Sequence, residues 1–210
     1  MTTVALSDQE IITTLEIYGV NADRDLCDKI RAYIALLLKW NQKISLTTVT
    51  NPNEILRFHF GESLFAVSAT QIQKSRLADV GSGAGFPGLA IRLIVESGDF
   101  ALIESNAKKA AFLSEVVREL HLSGVAVFRG RMEDFDRGRP KFDYITARAI
   151  GQFEEVLKWA HQCLNPTGKV ILWLGEEDVS VISTTPSWNW NAAIKIPRSE
   201  RRFLLFGSLS

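Results

Sequence analysis

Asp79-Val80-Gly81-Ser82-Gly83-Ala84-Gly85-Phe86-Pro87-Gly88 places four glycines in eight positions, directly after the apolar run Leu77–Val80. Few folds can use such a stretch. Glycine lets a backbone pass through positive φ and lets a ligand approach with no Cβ in the way, which suits a strand-to-helix turn at the rim of a parallel sheet. The residues that follow keep the rhythm of that fold. Short apolar runs at Phe100–Ile103, Val125–Phe128, Tyr144–Thr146 and Val170–Leu174 alternate with amphipathic stretches after Phe86, from Asn106 to Leu120 and from Gln152 to Leu164. Alternation of this kind predicts an α/β domain, a parallel sheet with helices on both faces, over residues 71–210. Ala192–Ile196 and Arg202–Phe206, joined by Pro197-Arg198-Ser199-Glu200, predict an antiparallel hairpin at one edge. The stretch Ser180–Asn191, rich in Ser, Thr and Trp, reads as a loop.

Residues 1–70 differ in period and predict a small helical N-terminal domain. Ser7 with Glu10 forms a capping box that opens a helix ending at Gly19. A second helix runs from about Asp23 to Trp40, and Asn51-Pro52-Asn53-Glu54 starts a third. Cys27 and Cys163 are far apart and form no CxxC, so neither a disulfide framework nor a zinc site is expected and reduced cytoplasmic thiols are. The opening residues lack a basic and then apolar leader pattern, and the densest apolar run, around Ile34 to Leu38, is too short to span a bilayer. With 24 basic and 24 acidic residues, any attraction to nucleic acid has to be local.

Two ligand readings of the loop compete. Gly83, Gly85 and Gly88 satisfy GxGxxG, the dinucleotide fingerprint of nicotinamide oxidoreductases. Gly81, Gly83 and Gly85, with Asp79 just before them, give the pattern associated with S-adenosylmethionine. A pyrophosphate disfavours a neighbouring carboxylate, whereas the sulfonium and α-amino groups of the methyl donor favour one, so Asp79 tilts the balance toward S-adenosylmethionine. Glu104, about twenty residues past the loop, sits where a carboxylate accepts hydrogen bonds from ribose hydroxyls, a moiety both cofactors share. A parallel sheet closed by an antiparallel hairpin is more typical of class I methyltransferases than of dehydrogenases.

DVGSGAGFPGLA (Asp79–Ala90), ESNAKKAAFL (Glu104–Leu113) and TARAI (Thr146–Ile150), in this order, resemble the bacterial 16S ribosomal RNA guanine-N7 methyltransferases, also called methyltransferase G or glucose-inhibited division protein B. The resemblance covers nearly the whole length. It implies a Rossmann-like class I S-adenosylmethionine-dependent methyltransferase that modifies N7 of one guanine in small-subunit ribosomal RNA. It also implies cofactor contacts at Gly81, Phe86, Met132, Glu133 and Arg148, beside Asp79, Gly83, Gly85 and Glu104 from the loop reading. In the N-terminal segment it rests on Trp40-Asn41, Leu46-Thr47, His59 and Ser63-Leu64, and departs at Ser45, Phe58 and Glu62, where the family usually has Asn, a basic residue and Asp. A methyltransferase of another RNA or of a small molecule is the alternative those departures leave open.

Guanine N7 carries an in-plane lone pair and is unprotonated at neutral pH, so no general base is expected. Alignment and field suffice. His59, His121 and His161 are scattered and suggest no metal site. Arg148 follows the fourth strand, where open α/β folds place ligands, and is expected to seat the cofactor and to reach guanine O6. RNA phosphates, in naked RNA or a small ribosomal subunit, would meet Arg129, Arg131, Arg137, Arg139 and Lys141, or Arg198, Arg201 and Arg202, with Lys108 and Lys109 nearby. A monomer is expected.

Overall fold

The N-terminal helices begin where a side chain can satisfy the first free amides. In the computed structural model, which describes residues 6–95, 97–135 and 141–210, Ser7 caps α1 (Asp8–Glu16) in a reciprocal box with Glu10. Asp23 caps α2 (Arg24–Asn41) through the amide of Leu26. Asn51 caps α3 (Pro52–Ile55), which runs without a break through a π-helical turn, Leu56–Gly61, into α4 (Glu62–Thr70). The wide turn brings Gly61 against the ring of Tyr18, where a Cβ would stand 2.3 Å from a ring carbon. Only glycine fits there.

The remainder alternates as expected: β1 (Ser75–Val80), α5 (Gly88–Ile94), β2 (Gly98–Glu104), α6 (Ala107–Glu119), β3 (Val125–Arg129), a 3-10 turn (Met132–Asp134), β4 (Phe142–Arg148), α7 (Phe153–Cys163) and β5 (Leu164–Gly175). α8 (Glu176–Ile182), β6 (Trp188–Trp190), β7 (Ile194–Lys195) and β8 (Arg202–Leu209) complete it. The strands run in the order β3-β2-β1-β4-β5-β8-β6, the first five parallel and β8 antiparallel to β5.

One expectation needs correction at this end. Ser180–Asn191 is not one loop, because it holds the end of α8 and all of β6. The expected antiparallel pair is present as β7 and β8, with Ile194 opposite Leu204 and Lys195 opposite Phe203. β8 lies between β5 and an edge that is shared by β6, opposite Trp188↔Leu209, and β7, opposite Ile194↔Leu204. Trp188 and Trp190 stack 5.7 Å apart, so their alternate exposed neighbour Asn189 made a two-sided strand look like polar loop.

Strand alternation divides the core between the faces. Ile11, Tyr33, Leu37 and Phe60 from the N-terminal helices pack with Leu89, Leu102 and Phe112 on one side, so helices and sheet share that core. Ile145, Ala147 and Leu172 face α7 on the other side, through Val156 and Trp159. Among the described residues, no helix is long and apolar enough to cross a membrane.

Candidate active site

The parallel strands end together at one rim, and the glycine loop closes it between β1 and α5. Gly81 and Ser82 donate their amides to the carbonyl of Ile103 on β2, at 2.9 and 3.1 Å, which pins the loop to the neighbouring strand. Gly83 has φ +56° and donates its amide to Glu104 Oε2 at 2.9 Å. The other oxygen of Glu104 accepts the amide of Asn106 at 2.7 Å. Each carboxylate oxygen thus keeps a lone pair for a ligand hydroxyl. A Cβ at Gly83 would meet only the carbonyl of Gly81, at 3.7 Å, so the space beyond the loop is open.

Gly85 is required for a different reason. Its φ is +86°, and a Cβ would fall 2.0 Å from the Tyr33 hydroxyl, which donates to the carbonyl of Ala84 at 2.8 Å. The helical segment therefore grips the loop from behind. Phe86 continues the contact, stacked on Tyr33 and His59 at 5.3 and 5.0 Å and meeting Phe60 edge-on.

Asp79 is fully buried. Its Oδ1 accepts the Thr146 hydroxyl at 2.7 Å and its Oδ2 the amide of Gly88 at 3.1 Å. Burial pushes its carboxyl up to about 6, against the pull of those hydrogen bonds. The acid expected to face the cofactor's positive charge instead ties β1 to β4 and to the start of α5. A pocket of about 270 Å³ opens on the other side of Gly81, lined among others by Ile103, Ser105, Met132, Glu133, Ile150 and Gln152. It gathers three of the expected positions, Gly81, Met132 and Glu133. Ile150 and Gln152 were missed, although Ile150 ends the TARAI block.

Arg148 turns toward the N-terminal segment. Its guanidinium donates to the carbonyl of Phe58 at 2.7 Å, to Glu62 Oε2 at 3.0 Å and to Ser63 Oγ at 3.3 Å. The reach to guanine O6 expected of this side chain is not the one its hydrogen bonds describe, because a buried carboxylate outcompetes a solvent-facing position. Glu62 is 1% exposed and is held from three adjacent strands. Arg148 of β4 and Arg202 of β8 bind its carboxylate, the latter at 2.7 Å, and Trp173 of β5 donates to its carbonyl at 2.8 Å. Burial pushes the Glu62 carboxyl up while both arginines pull it back.

The N-terminal residues that carried the resemblance converge here. Asn41 clamps the following turn by accepting the amides of Leu46 and Thr47 and donating to the carbonyl of Thr47. Thr47 Oγ1 lies 2.8 Å from His59 Nε2, and the His59 ring lies on Phe86. Burial first, then Arg148 and Arg202, lowers His59 to about 4, so the ring is neutral. At the departure Phe58, two guanidiniums, Arg57 and Arg202, stack over the ring at 4.9 and 5.0 Å. Neighbours thus supply the positive charge. Ser45 is exposed at the start of the Leu46-Thr47 pair.

Of the basic clusters, Arg137 and Arg139 lie outside the described residues. Arg201 pairs with Glu177 on the surface. Cys27 and Cys163 are both buried. Among the described residues, no group of His, Cys, Asp and Glu could hold a metal.

A sheet ordered 3-2-1-4-5-8-6 with β8 reversed, and a glycine loop clasped to an acid at the end of β2, define a class I S-adenosylmethionine-dependent methyltransferase. A S-adenosylmethionine-dependent methyltransferase from Aquifex aeolicus has the same fold, with a TM-score of 0.59 over 75% of this chain and 93% of that one at 16% identity. The chain belongs to the GidB family, rRNA small subunit methyltransferase G, whose pattern matches residues 26–189. It is 36% identical to the ribosomal RNA small subunit methyltransferase G of Desulfitobacterium hafniense, over 76% of this chain and 68% of the relative. Identity to the protein of that name from Streptococcus thermophilus is 34%, over 79% and 72%.

Proposed function

We propose that this chain transfers a methyl group from S-adenosylmethionine to N7 of one guanine in the 16S ribosomal RNA of the small ribosomal subunit, working in the cytoplasm as a monomer. The observation that carries this reading is the junction Asn41–Thr47–His59–Phe86, where the family's N-terminal residues meet the glycine loop. A methyltransferase fold alone would not need it.

The residues present fit the cofactor. Glu104 offers one free lone pair on each oxygen to the ribose hydroxyls, and Gly81 with Met132 and Glu133 borders a pocket suited to the adenine. Gly83 and Gly85 shape the loop, and Asp79 fixes it to Thr146 and Gly88. S-adenosylmethionine supplies an electrophilic methyl group when bound. Guanine N7 needs no base to attack it, so the chain's task is to align the base, exclude water and hold a favourable field. Arg148 serves as a positioning residue. Its side chain holds Phe58, Glu62 and Ser63 at the rim, while its backbone ends β4 beside the cofactor loop. Residues 1–70 form the substrate-side domain, and residues 71–210 the cofactor-side domain.

Incubating the protein with labelled S-adenosylmethionine and purified small ribosomal subunits, then mapping the modified base, tests the reading. One new N7-methylguanine in 16S RNA is the expected product. Cofactor binding without transfer to RNA or subunits would sink the substrate assignment, with Ser45, Phe58 and Glu62 the first residues to revert. Failure to bind the cofactor would overturn the whole reading.

A further inference from the structure

A second concavity, of about 570 Å³, lies outside the cofactor pocket between the end of α2 and the start of α6. Its floor is apolar: Trp40 and Ile44 on one side, Ala107 and Ala111 on the other. Its rim carries Lys39, Lys43 and Lys108, all exposed and none in an ion pair among the described residues. Glu115 is the one acid of the lining, and it faces Arg118 at 3.9 Å. Trp40 is held from below, its ring 5.8 Å from Phe112 at a steep angle. An anchored indole bordered by three exposed ammonium groups, none in a close ion pair, matches one ligand chemistry well. A flat π-face stacks an unpaired base, and point charges at the rim take the phosphates before and after it.

The position fits as well. Glu104 clasps the glycine loop, Ser105 lines the cofactor pocket, and Ala107 and Lys108 line this groove. The two concavities are neighbours across the first turn of α6.

Resting on the function proposed above, we propose that this groove binds a single-stranded RNA segment next to the target guanine, stacking one base on Trp40 and holding phosphates with Lys39, Lys43 and Lys108. A base drawn out of its stack for reaction leaves its neighbours unstacked as well. The groove gives one of them a new partner.

The probe is a fluorescently labelled ten-nucleotide uridine oligomer, followed by anisotropy over a range of salt. In the triple variant Lys39→Ala, Lys43→Ala, Lys108→Ala, the expected dissociation constant rises at least tenfold. The log–log salt slope should become shallower by about 2, since each lost phosphate contact on a single strand removes about 0.7. Trp40→Phe should weaken binding less than the triple variant does, and remove part of the tryptophan quenching expected on RNA addition. Both variants should bind S-adenosylmethionine as the unaltered protein does, and transfer to subunits should show a raised KM with little change in kcat. Unchanged oligomer affinity and slope in the triple variant would overturn the groove proposal, even where methylation of 16S RNA proceeds normally. Weaker binding to subunits with unchanged oligomer affinity would overturn it too, by assigning the groove to a ribosomal protein. Normal oligomer binding through the groove in a protein that methylates no RNA would keep the groove and remove the function.

Discussion

The cofactor loop and the junction at Glu62 border the same rim, yet they are built on different physics. The loop, from Asp79 to Gly88, is held by backbone amides and carbonyls and by glycines at positive φ, with its acid sealed inside. The junction, from Arg57 to Ser63, is held by charge: one buried carboxylate, two guanidiniums on it, and two guanidiniums over the Phe58 ring. A loop fixed by geometry fails when volume is added. A junction fixed by buried charge fails when a charge is removed. On the function proposed above, the side that fits a small cofactor is rigid by shape, and the side that meets RNA is rigid by electrostatics.

The largest effect should come from deleting the junction's charge. Glu62→Ala leaves Arg148 buried without its counter-ion, and stability in urea unfolding should fall by about 3–5 kcal/mol. Glu62→Asp keeps the charge and should lose much less, and an equal loss would show that packing, not charge, holds the junction. Next comes the acid of the loop. Asp79 is raised in the folded protein to about 6 from 3.8, so its protonated form is the favoured one. Its contribution is fully present below pH 3.8 and is lost as pH rises through about 6, on the order of 3 kcal/mol in all. Asp79→Asn should flatten that part of the stability–pH curve, and a curve parallel to the unaltered protein's would exclude Asp79 as its source.

Gly85→Ala should cost about 1–3 kcal/mol, because it combines a strained φ with a clash at the Tyr33 hydroxyl. Calorimetric titration should also find weaker S-adenosylmethionine binding, and normal affinity would mean that the loop relaxes without consequence. His59, which is partly buried, gives a second pH-dependent contribution. Its folded value of about 4 lies below 6.5, so its contribution is present above pH 6.5 and is lost as pH falls through about 4. That sign is opposite to Asp79's. His59→Gln should reduce the loss of stability between pH 7.5 and 5, and an unchanged loss would assign it to other groups.

Much of the cofactor side was legible in the sequence because its signals are local. Glycine spacing, an acid at a strand end and the caps at Ser7, Asp23 and Asn51 all act within a few residues of themselves. Asp79 was found by its place beside the glycines, but its direction was not, because an alternating strand does not declare which of two faces a polar residue takes at its last turn. The junction was hardly legible. Glu62 looked like a conservative departure, and nothing near it in the chain announces Arg148, Trp173 or Arg202. The π-helical turn escaped for a related reason. Ile55, Leu56 and Leu64 are buried at helical spacing and Phe65 is half-buried, while the extra width at Leu56–Gly61 answers to Tyr18, which lies in the turn after α1. β6 was hidden by its brevity, with three residues and two tryptophans in a polar stretch.

The grip on Glu62 has a consequence for how the molecule comes into being. A ribosome releases a chain in order, and N-terminal segments begin to fold first. Glu62 emerges long before the strands that neutralise it, and its second arginine sits on β8, the last strand of the sheet. Until β8 threads between β5 and β6, the N-terminal helices carry a carboxylate with half its counter-charge missing. Completion of the N-terminal part is thereby deferred to the end of translation. A chain cut short before Arg202 should leave that segment loosely docked, however well its own helices form.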